Sequence, residues 1–449
     1  MPCDVAKRQY CGGTWQGIIS RLDYIQNMGF TAIWISPVTA QLNETTALGE
    51  AYHGYWQQNI FALNSHFGNI GDLQALATAL HARNMSLMVD VVVNHFGWAG
   101  DGSTHDFSKM YPFGDRTYYH PYCEITTQDY RSDQTAVEQC WLGDDIVSLP
   151  DIDTTATSVR QTYDQWIRSL VSVFGVDGLR IDTVRHVEKS FWSDFNAAAG
   201  VYTLGEVFDG DITYTCPYQE QLHGLLNYPL YYSLTKTFED ASSNTTLLAA
   251  AITTIQDSCR DPTLLATFSE NHDNPRFLSQ RNDLNAQMNV IVFTILAGGI
   301  PIIYQGQEQG FSGGNDPANR EALWDSGYST KTPLYMLIAS VNQVRNHEVF
   351  ASPKYPTAST SVIYTDDHHI ALQKGNIVSL YSNEGSNGTS SDITLENTGF
   401  QANRPIVEIL TCRNSTTDSN GNLRVTVQEG LPQVFYSSAA VRSLGICFL

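Results

Sequence analysis

The stretch GLRIDTVRH, Gly178 to His186, decides how this chain folds. Val176, Leu179 and Ile181 make a short apolar strand with β-branched residues. Arg180 and Asp182 stand two apart on it and so share a face. Arg185 and His186 follow where the strand runs out. A guanidinium beside a carboxylate on an apolar strand favours the ionised carboxylate at neutral pH. A positioned, ionised carboxylate can act as a nucleophile. Taken alone, the pair is equally a structural ion pair. Two further strand ends shift that balance. Val201–Val207 (VYTLGEV) ends with Glu206, and Leu264–Asp273 (LLATFSENHD) ends with Glu270, His272 and Asp273. Apolar strands that each deliver a carboxylate at the C-terminal end are how a parallel β/α barrel builds an active site.

The rest of the chain agrees with that architecture. Strand-like runs at Thr31–Val38, Ser86–Asn94, Val176–Thr183, Val201–Val207, His223–Asn227, Leu264–Asp273 and Gly299–Gln305 alternate with helical stretches such as Ile18–Met28, Asp72–Arg83 and Ser158–Phe174. This alternation predicts a parallel sheet with crossover helices, with seven strands in the chain. About eighty residues between Asn94 and Val176 are too many for one loop and predict an inserted subdomain. Beyond residue 356 the alternation gives way to short β runs (SVIYT, HHIALQK, NIVSLYS, LRVTV, QVFYS) and predicts a separate all-β domain. The expected division is a barrel from 1–94 and 153–356, an insertion at 95–152, and a C-terminal domain at 357–449.

Composition narrows the function. The chain has 449 residues with 25 basic and 46 acidic side chains, a formal charge of −21. That balance argues against nucleic acid and anionic membranes as partners. It suits a neutral substrate and bound cations, and 23 Tyr with 8 Trp suit stacking on sugar rings. Eight cysteines without a C-x-x-C pair predict disulfides and an oxidising compartment. The sequons at Asn43, Asn84, Asn244, Asn387 and Asn414 agree with secretion. No apolar leader follows Met1, so the N-terminus is expected to be incomplete. The longest apolar run, Met288–Tyr304, is broken by Gly298-Gly299-Ile300-Pro301 and predicts a buried helix followed by a strand.

Five motifs carry a resemblance: DVVVNH (Asp90–His95), LPDID (Leu149–Asp153), GLRIDTVRH, GEV (Gly205–Val207) and ENHDNPRF (Glu270–Phe277). YHGYWQQ (Tyr52–Gln58) and GGNDPANR (Gly313–Arg320) add to it. Together they resemble the α-amylase family of retaining glycoside hydrolases, in particular its secreted fungal members. The resemblance implies a (β/α)8 TIM barrel, a subdomain inserted after the third strand and a C-terminal antiparallel β-sandwich domain. It implies endo-hydrolysis of α-1,4-glucosidic bonds in starch-like glucans by a monomer. A 4-α-glucanotransferase on the same bonds is the alternative chemistry, and an inactive truncated relative a third reading.

By position, the resemblance makes Asp182 the nucleophile, Glu206 the acid/base and Asp273 the carboxylate that steadies the transition state. A retaining enzyme needs two carboxyls about 5–5.5 Å apart, one ionised and one protonated. Arg180 fits beside the ionised Asp182. Glu206 has no basic neighbour in sequence, and burial beside two acids is expected to raise its pKa. Implied sugar contacts are Tyr55 and Trp56 by stacking, and His95 and His272 by hydrogen bonds. Asp316 and Arg320 would hold the non-reducing side, and Arg185, His186 and Asp209 the reducing side. A Ca2+ ion is implied at Asn94, Glu138, Asp151 and His186, with Glu138 and His186 ligating through main-chain oxygens. The residues alone suggest only Asn94 and Asp151, and would misread His186 as a zinc ligand. The implied disulfides are Cys3–Cys11, Cys123–Cys140, Cys216–Cys259 and Cys412–Cys447.

Two departures stand out. The family's first barrel strand lies upstream of the segment matching Cys3–Cys11, so this chain is expected to lack it through N-terminal truncation, leaving two unpaired edges. Arg185 stands where the fungal enzymes usually have Lys, and Arg8 where they have Gln. A planar fork replaces a point donor in the first case, which is expected to affect product length or the choice of acceptor.

Overall fold

The computed structural model describes residues 3–447. Seven parallel strands form the barrel: β1 (Ala32–Ile35), β2 (Ser86–Val91), β3 (Gly178–Ile181), β4 (Tyr202–Gly205), β5 (Gly224–Leu225), β6 (Ala266–Thr267) and β7 (Ile300–Pro301). The first five pair in sequence order, β6 pairs with β7, and a parallel bridge from Leu226 to Ala266 joins the two groups. Among the described residues no strand pairs with the outer edge of β1 or of β7. The seven-strand expectation therefore holds, although the strands are shorter than the apolar runs. Leu264–Asp273 contributes only Ala266–Thr267, and Gly299–Gln305 only Ile300–Pro301. The helix expected at Ile18–Met28 is two short ones, Trp15–Ile19 and Leu22–Gln26.

The crossover helices follow from their sequences. Ile70–His81 starts at a capping box, in which Asn69 and Asp72 each satisfy the other's backbone N–H. It buries Leu73, Leu76, Ala77 and Leu80, the one-face spacing of an amphipathic helix. Thr157–Phe174 buries Val159, Tyr163, Trp166, Ile167 and Leu170, and ends on Gly175 at φ 65°, where a side chain would be strained. All four residues of β3 are buried, as expected of a strand covered on both faces. Inside the barrel Leu204, Leu226, Ala266 and Phe268 pack with Trp34, Met88 and Ile302.

The insertion follows β2. It holds a small three-stranded antiparallel sheet (Trp98–Ala99, Leu142–Gly143, Val147–Leu149) and two short helices, Asp129–Ser132 and Gln134–Gln139. The C-terminal strands are β8 (Ser361–Thr365), β9 (His369–Lys374), β10 (Ile377–Ser382), β11 (Ser391–Leu395), β12 (Pro405–Glu408), β13 (Arg413–Thr416), β14 (Leu423–Val427) and β15 (Gln433–Ser437). Six form one antiparallel sheet, and β11 and β14 form a second. Residues of both sheets share one apolar core, including Val378, Leu380, Ile393, Val425 and Phe435. That is a sandwich. All four implied disulfides are present: Cys3–Cys11, Cys123–Cys140, Cys216–Cys259 and Cys412–Cys447. Met288–Tyr304 divides as expected into part of the buried helix Leu284–Leu296 and β7. Among the described residues no helix is long and apolar enough to cross a membrane.

Candidate active site

Strand register brings the charged residues together. In the β2–β3 ladder Asp90 lies opposite Arg180, and in the β3–β4 ladder Arg180 lies opposite Leu204. Beyond the strands the ladder continues: Asp182 N–H donates to Val91 O at 3.0 Å, and Glu206 N–H to Ile181 O at 2.9 Å. Asp182 and Glu206 thus leave adjacent strands at the same height. The Arg180 guanidinium, fully buried, sits between them. Its Nη1 donates to Asp182 Oδ1 at 2.6 Å and to both oxygens of Asp90 at 3.1 Å. Its Nη2 lies 2.7 Å from Glu206 Oε1, but without the alignment of a hydrogen bond.

This corrects one expectation, since Glu206 does have a basic neighbour. It is supplied laterally by the next strand. Burial, the largest influence, still outweighs Arg180 and pushes the Glu206 carboxyl well above the usual range, with Asp182 and Asp273 adding to the rise. Thr183 takes φ 50°, a strained conformation for a β-branched residue. That turn aims its N–H at Glu206 Oε2, 3.0 Å away.

Asp273 faces this pair from the strand end after β6. Burial raises its pKa, but His272, Arg180 and Arg320 together hold it below the usual carboxylate value. His272 Nε2 is 3.3 Å and Arg320 Nη2 3.4 Å from it. Asp182, Glu206 and Asp273 line one open cleft of about 420 Å3, with Tyr55, Trp56, His95, Arg185, His186, Asp316 and Arg320. Arg180 lies beneath it. Asp209 stands outside the cleft lining, 3.4 Å from Arg185. His272 lies behind Tyr55, whose hydroxyl is 2.8 Å from its Nε2 and whose ring stacks on it. Trp56 is set by Gly97, where a Cβ would come within 2.7 Å of the Trp56 Cα.

The cleft ends are braced by charge. Arg8 Nη1 pairs with Asp316 at 3.0 Å, and Asp316 with Arg320 Nε at 2.8 Å. At the other end Arg185 donates to Phe208 O at 2.6 Å and lies over Tyr130 and Tyr214. Its Nε and Nη2 are buried without a partner.

The residue that sequence reasoning passed over is Asp90. It accepts from Tyr55 Oη at 2.7 Å and Trp34 Nε1 at 3.2 Å as well as from Arg180. An acid inside the apolar run SLMVDVVVN was its signal.

The four cation candidates lie where the insertion meets the barrel. The outer amide atom of Asn94 is 3.0 Å from Asp151 Oδ2 and 2.9 Å from His186 O. An amide nitrogen donating to both satisfies this geometry. So does an amide oxygen sharing a cation with the other two, and an all-oxygen set suits Ca2+. Glu138 follows Val137, whose carbonyl accepts from His186 Nδ1 at 3.0 Å. The Glu138 carboxylate is engaged by Gln134 at 2.9 Å. No group of three or more His, Cys, Asp or Glu is arranged to hold a metal among the described residues. The His186 ring is not part of a zinc-type cluster.

A β/α barrel with two carboxyls on adjacent strand ends, one held by Arg180 and the other kept protonated by burial, is a retaining glycoside hydrolase in outline. Comparison with known proteins makes the class specific. Residues 4–375 match the α-amylase catalytic domain and residues 362–449 the α-amylase domain C. The chain belongs to the α-amylase family. Alpha-amylase 2 of Schwanniomyces occidentalis is 49% identical over 449 residues, covering 99% of this chain and 88% of that protein. The alpha-amylase of Saccharomycopsis fibuligera is 49% identical over 433 residues, covering 96% of this chain and 86% of its own length. The solved alpha-amylase of Malbranchea cinnamomea superposes with a TM-score of 0.97 at 49% identity, covering 99% of this chain and 94% of that one.

Proposed function

We propose that this enzyme hydrolyses internal α-1,4-glucosidic bonds of starch- and glycogen-type glucans with retention of configuration. One observation carries the reading: a single buried guanidinium spans Asp182 and Glu206 at the base of a cleft that Asp273 faces. Asp182 attacks the anomeric carbon while Glu206 gives its proton to the departing glycosidic oxygen. The glycosyl ester on Asp182 is then attacked by water, whose proton returns to Glu206, and Asp182 is released. Asp273 supplies negative charge beside the oxocarbenium-like centre.

Tyr55 and Trp56 offer ring faces to glucose, His95 lines the cleft for a hydrogen bond to sugar, and His272 supports the site from behind Tyr55. Asp316 and Arg320 hold the non-reducing side, and Arg185 and His186 the reducing side, with Asp209 acting through its contact with Arg185. Incubation with maltopentaose tests the reading, because hydrolysis gives only shorter products. Transfer to a sugar acceptor is the alternative chemistry at the same glycosyl-enzyme intermediate. Longer products would support it.

Asn94, Asp151 and the main-chain oxygens of Glu138 and His186 would hold Ca2+. The ion would pin residues 95–152, as a subdomain, to the barrel formed by 1–94 and 153–356, with 357–449 as the third domain. Four disulfides and exposed sequons at Asn43, Asn84, Asn387 and Asn414 support secretion as a glycoprotein. The charge of −21 supports a monomer that avoids nucleic acid and anionic membranes.

A further inference from the structure

The three carboxyls of the cleft are not held in the same way. Asp182 and Glu206 are fixed by N–H bonds that continue the strand ladder, to Val91 O and Ile181 O. Asp273 comes six residues after β6 ends at Thr267, outside any strand. Its N–H donates to Asn271 Oδ1 at 3.0 Å, and the same oxygen takes the Asn274 N–H at 2.9 Å. That local turn shapes the segment, and Asn271 Nδ2 ties it to Tyr228 Oη at 3.0 Å. The carbonyls on either side of Asp273 are gripped from elsewhere. Asn319 Nδ2 donates to His272 O at 3.0 Å and to Asn274 O at 2.9 Å. One amide group thus directs both of its N–H bonds to the two peptide groups that bracket the carboxylate.

Asn319 is fully buried, and its Oδ1 has no donor among the described residues. A buried amide oxygen left unpaired is destabilising, so stability alone is a poor reason for this side chain. Nor can the amide turn over, because that would set its oxygen against two carbonyl oxygens. The loop that carries it is anchored in turn. Asn319 O accepts from Tyr304 Oη at 3.2 Å, Gly313 N–H donates to Glu321 Oε1 at 2.7 Å, and Glu321 Oε2 accepts from the fully buried Arg276 at 2.6 Å. A Cβ on Gly313 would stand 1.7 Å from Ala318 O, so the loop closes this tightly only on glycine. The next residue, Arg320, adds a bond from its Nε to His272 O at 3.1 Å.

We propose that Asn319 is a positioning residue, which sets Asp273 against the reacting carbon by clamping the two peptide groups around it. It does for Asp273 what the strand ladder does for Asp182 and Glu206. Asn319 touches no reacting atom and acts through Asp273, so its role rests on the part that Asp273 plays in the reaction proposed above. Negative charge beside an oxocarbenium-like centre matters in the transition state and little in the bound substrate. Slack in the clamp therefore appears in kcat and hardly in KM. A misplacement of about 1 Å can lower a rate by ~100-fold.

The test compares Asn319→Leu and Asn319→Ala with Asn342→Leu, each in the whole chain, on maltopentaose. Leu keeps the space filled and Ala leaves it open, so one variant serves if the other folds poorly. Asn342 is likewise a buried amide, outside the cleft lining, whose Nδ2 donates to Met28 O at 2.9 Å. Both Asn319 variants should lose kcat by ~10- to 100-fold with KM within about twofold of the unaltered chain. Asn342→Leu should lower the thermal midpoint and keep kcat. Calorimetry reads the clamp without turnover, using a maltotriose analogue in which one ring is a protonated cyclic amine. The Asn319 variants should bind that cation at least about tenfold more weakly and bind maltotriose itself unchanged. Three results overturn the proposal: kcat of Asn319→Leu within about threefold of the unaltered chain, a loss carried by KM, or an equal loss of kcat in Asn342→Leu. An unaltered chain that leaves maltopentaose intact overturns the proposed reaction and the clamp together, whereas unaffected variants of an active chain overturn the clamp alone.

Discussion

At the residue scale, Arg180 explains how two carboxyls that touch one guanidinium take different roles. It gives Asp182 and Asp90 directed hydrogen bonds and Glu206 only an unaligned contact, so burial decides the state of Glu206. Asp182→Asn should keep the fold and lower turnover on maltopentaose by at least ~10³-fold. A loss below tenfold would remove Asp182 as nucleophile. Glu206 must be protonated to act as acid, so activity falls as pH rises through its pKa. Because that pKa is raised, the alkaline limb of kcat/KM should lie well above the ~4.3 of an ordinary Glu. A limb centred near pH 4–5 would contradict the assignment. Arg180→Met leaves buried carboxylates unpaired and should cost about 3–5 kcal/mol in urea unfolding. A loss under ~1 kcal/mol would show that other groups hold them. Asp182 was legible in sequence because the pair shares one strand face. The contact between Arg180 and Glu206 was not, because strand register creates it across residues 26 apart in sequence.

At the scale of elements, the barrel strands are short and the turns after them carry the chemistry. Apolar runs located each of the seven barrel strands but overstated its length. The last two strands stop at Thr267 and Pro301, inside apolar runs in which no change in hydrophobicity marks that point. In the C-terminal domain β12 begins at Pro405 and β13 reads RNST. One starts with a residue that cannot donate, and the other is a polar edge strand, so neither shows an alternating pattern. The joint between insertion and barrel is an element-scale claim, with Asn94 and His186 O on the barrel side and Asp151 on the insertion side. If Ca2+ is shared there, a chelator should lower the thermal midpoint and added Ca2+ should restore it. An unchanged midpoint would favour the alternative, an Asn94 amide donating to both oxygens.

At the scale of the whole molecule, a seven-strand sheet inside a closed helix ring aims three carboxyls into one cleft. The alternation of strands and helices was legible in the sequence, but the bonds that tie the helix Pro333–Ala351 to the segment before β1 came only from the packed structure, because they join residues some 300 positions apart. The chain's formal charge of −21 is compatible with a neutral glucan as partner. The central claim, double displacement at Asp182, is tested most directly by proton NMR of maltopentaose cleavage in its first minutes. The account predicts that the newly formed reducing ends appear as the α-anomer before mutarotation. Newly formed β-anomer, or cleavage that persists undiminished in Asp182→Asn, would contradict it.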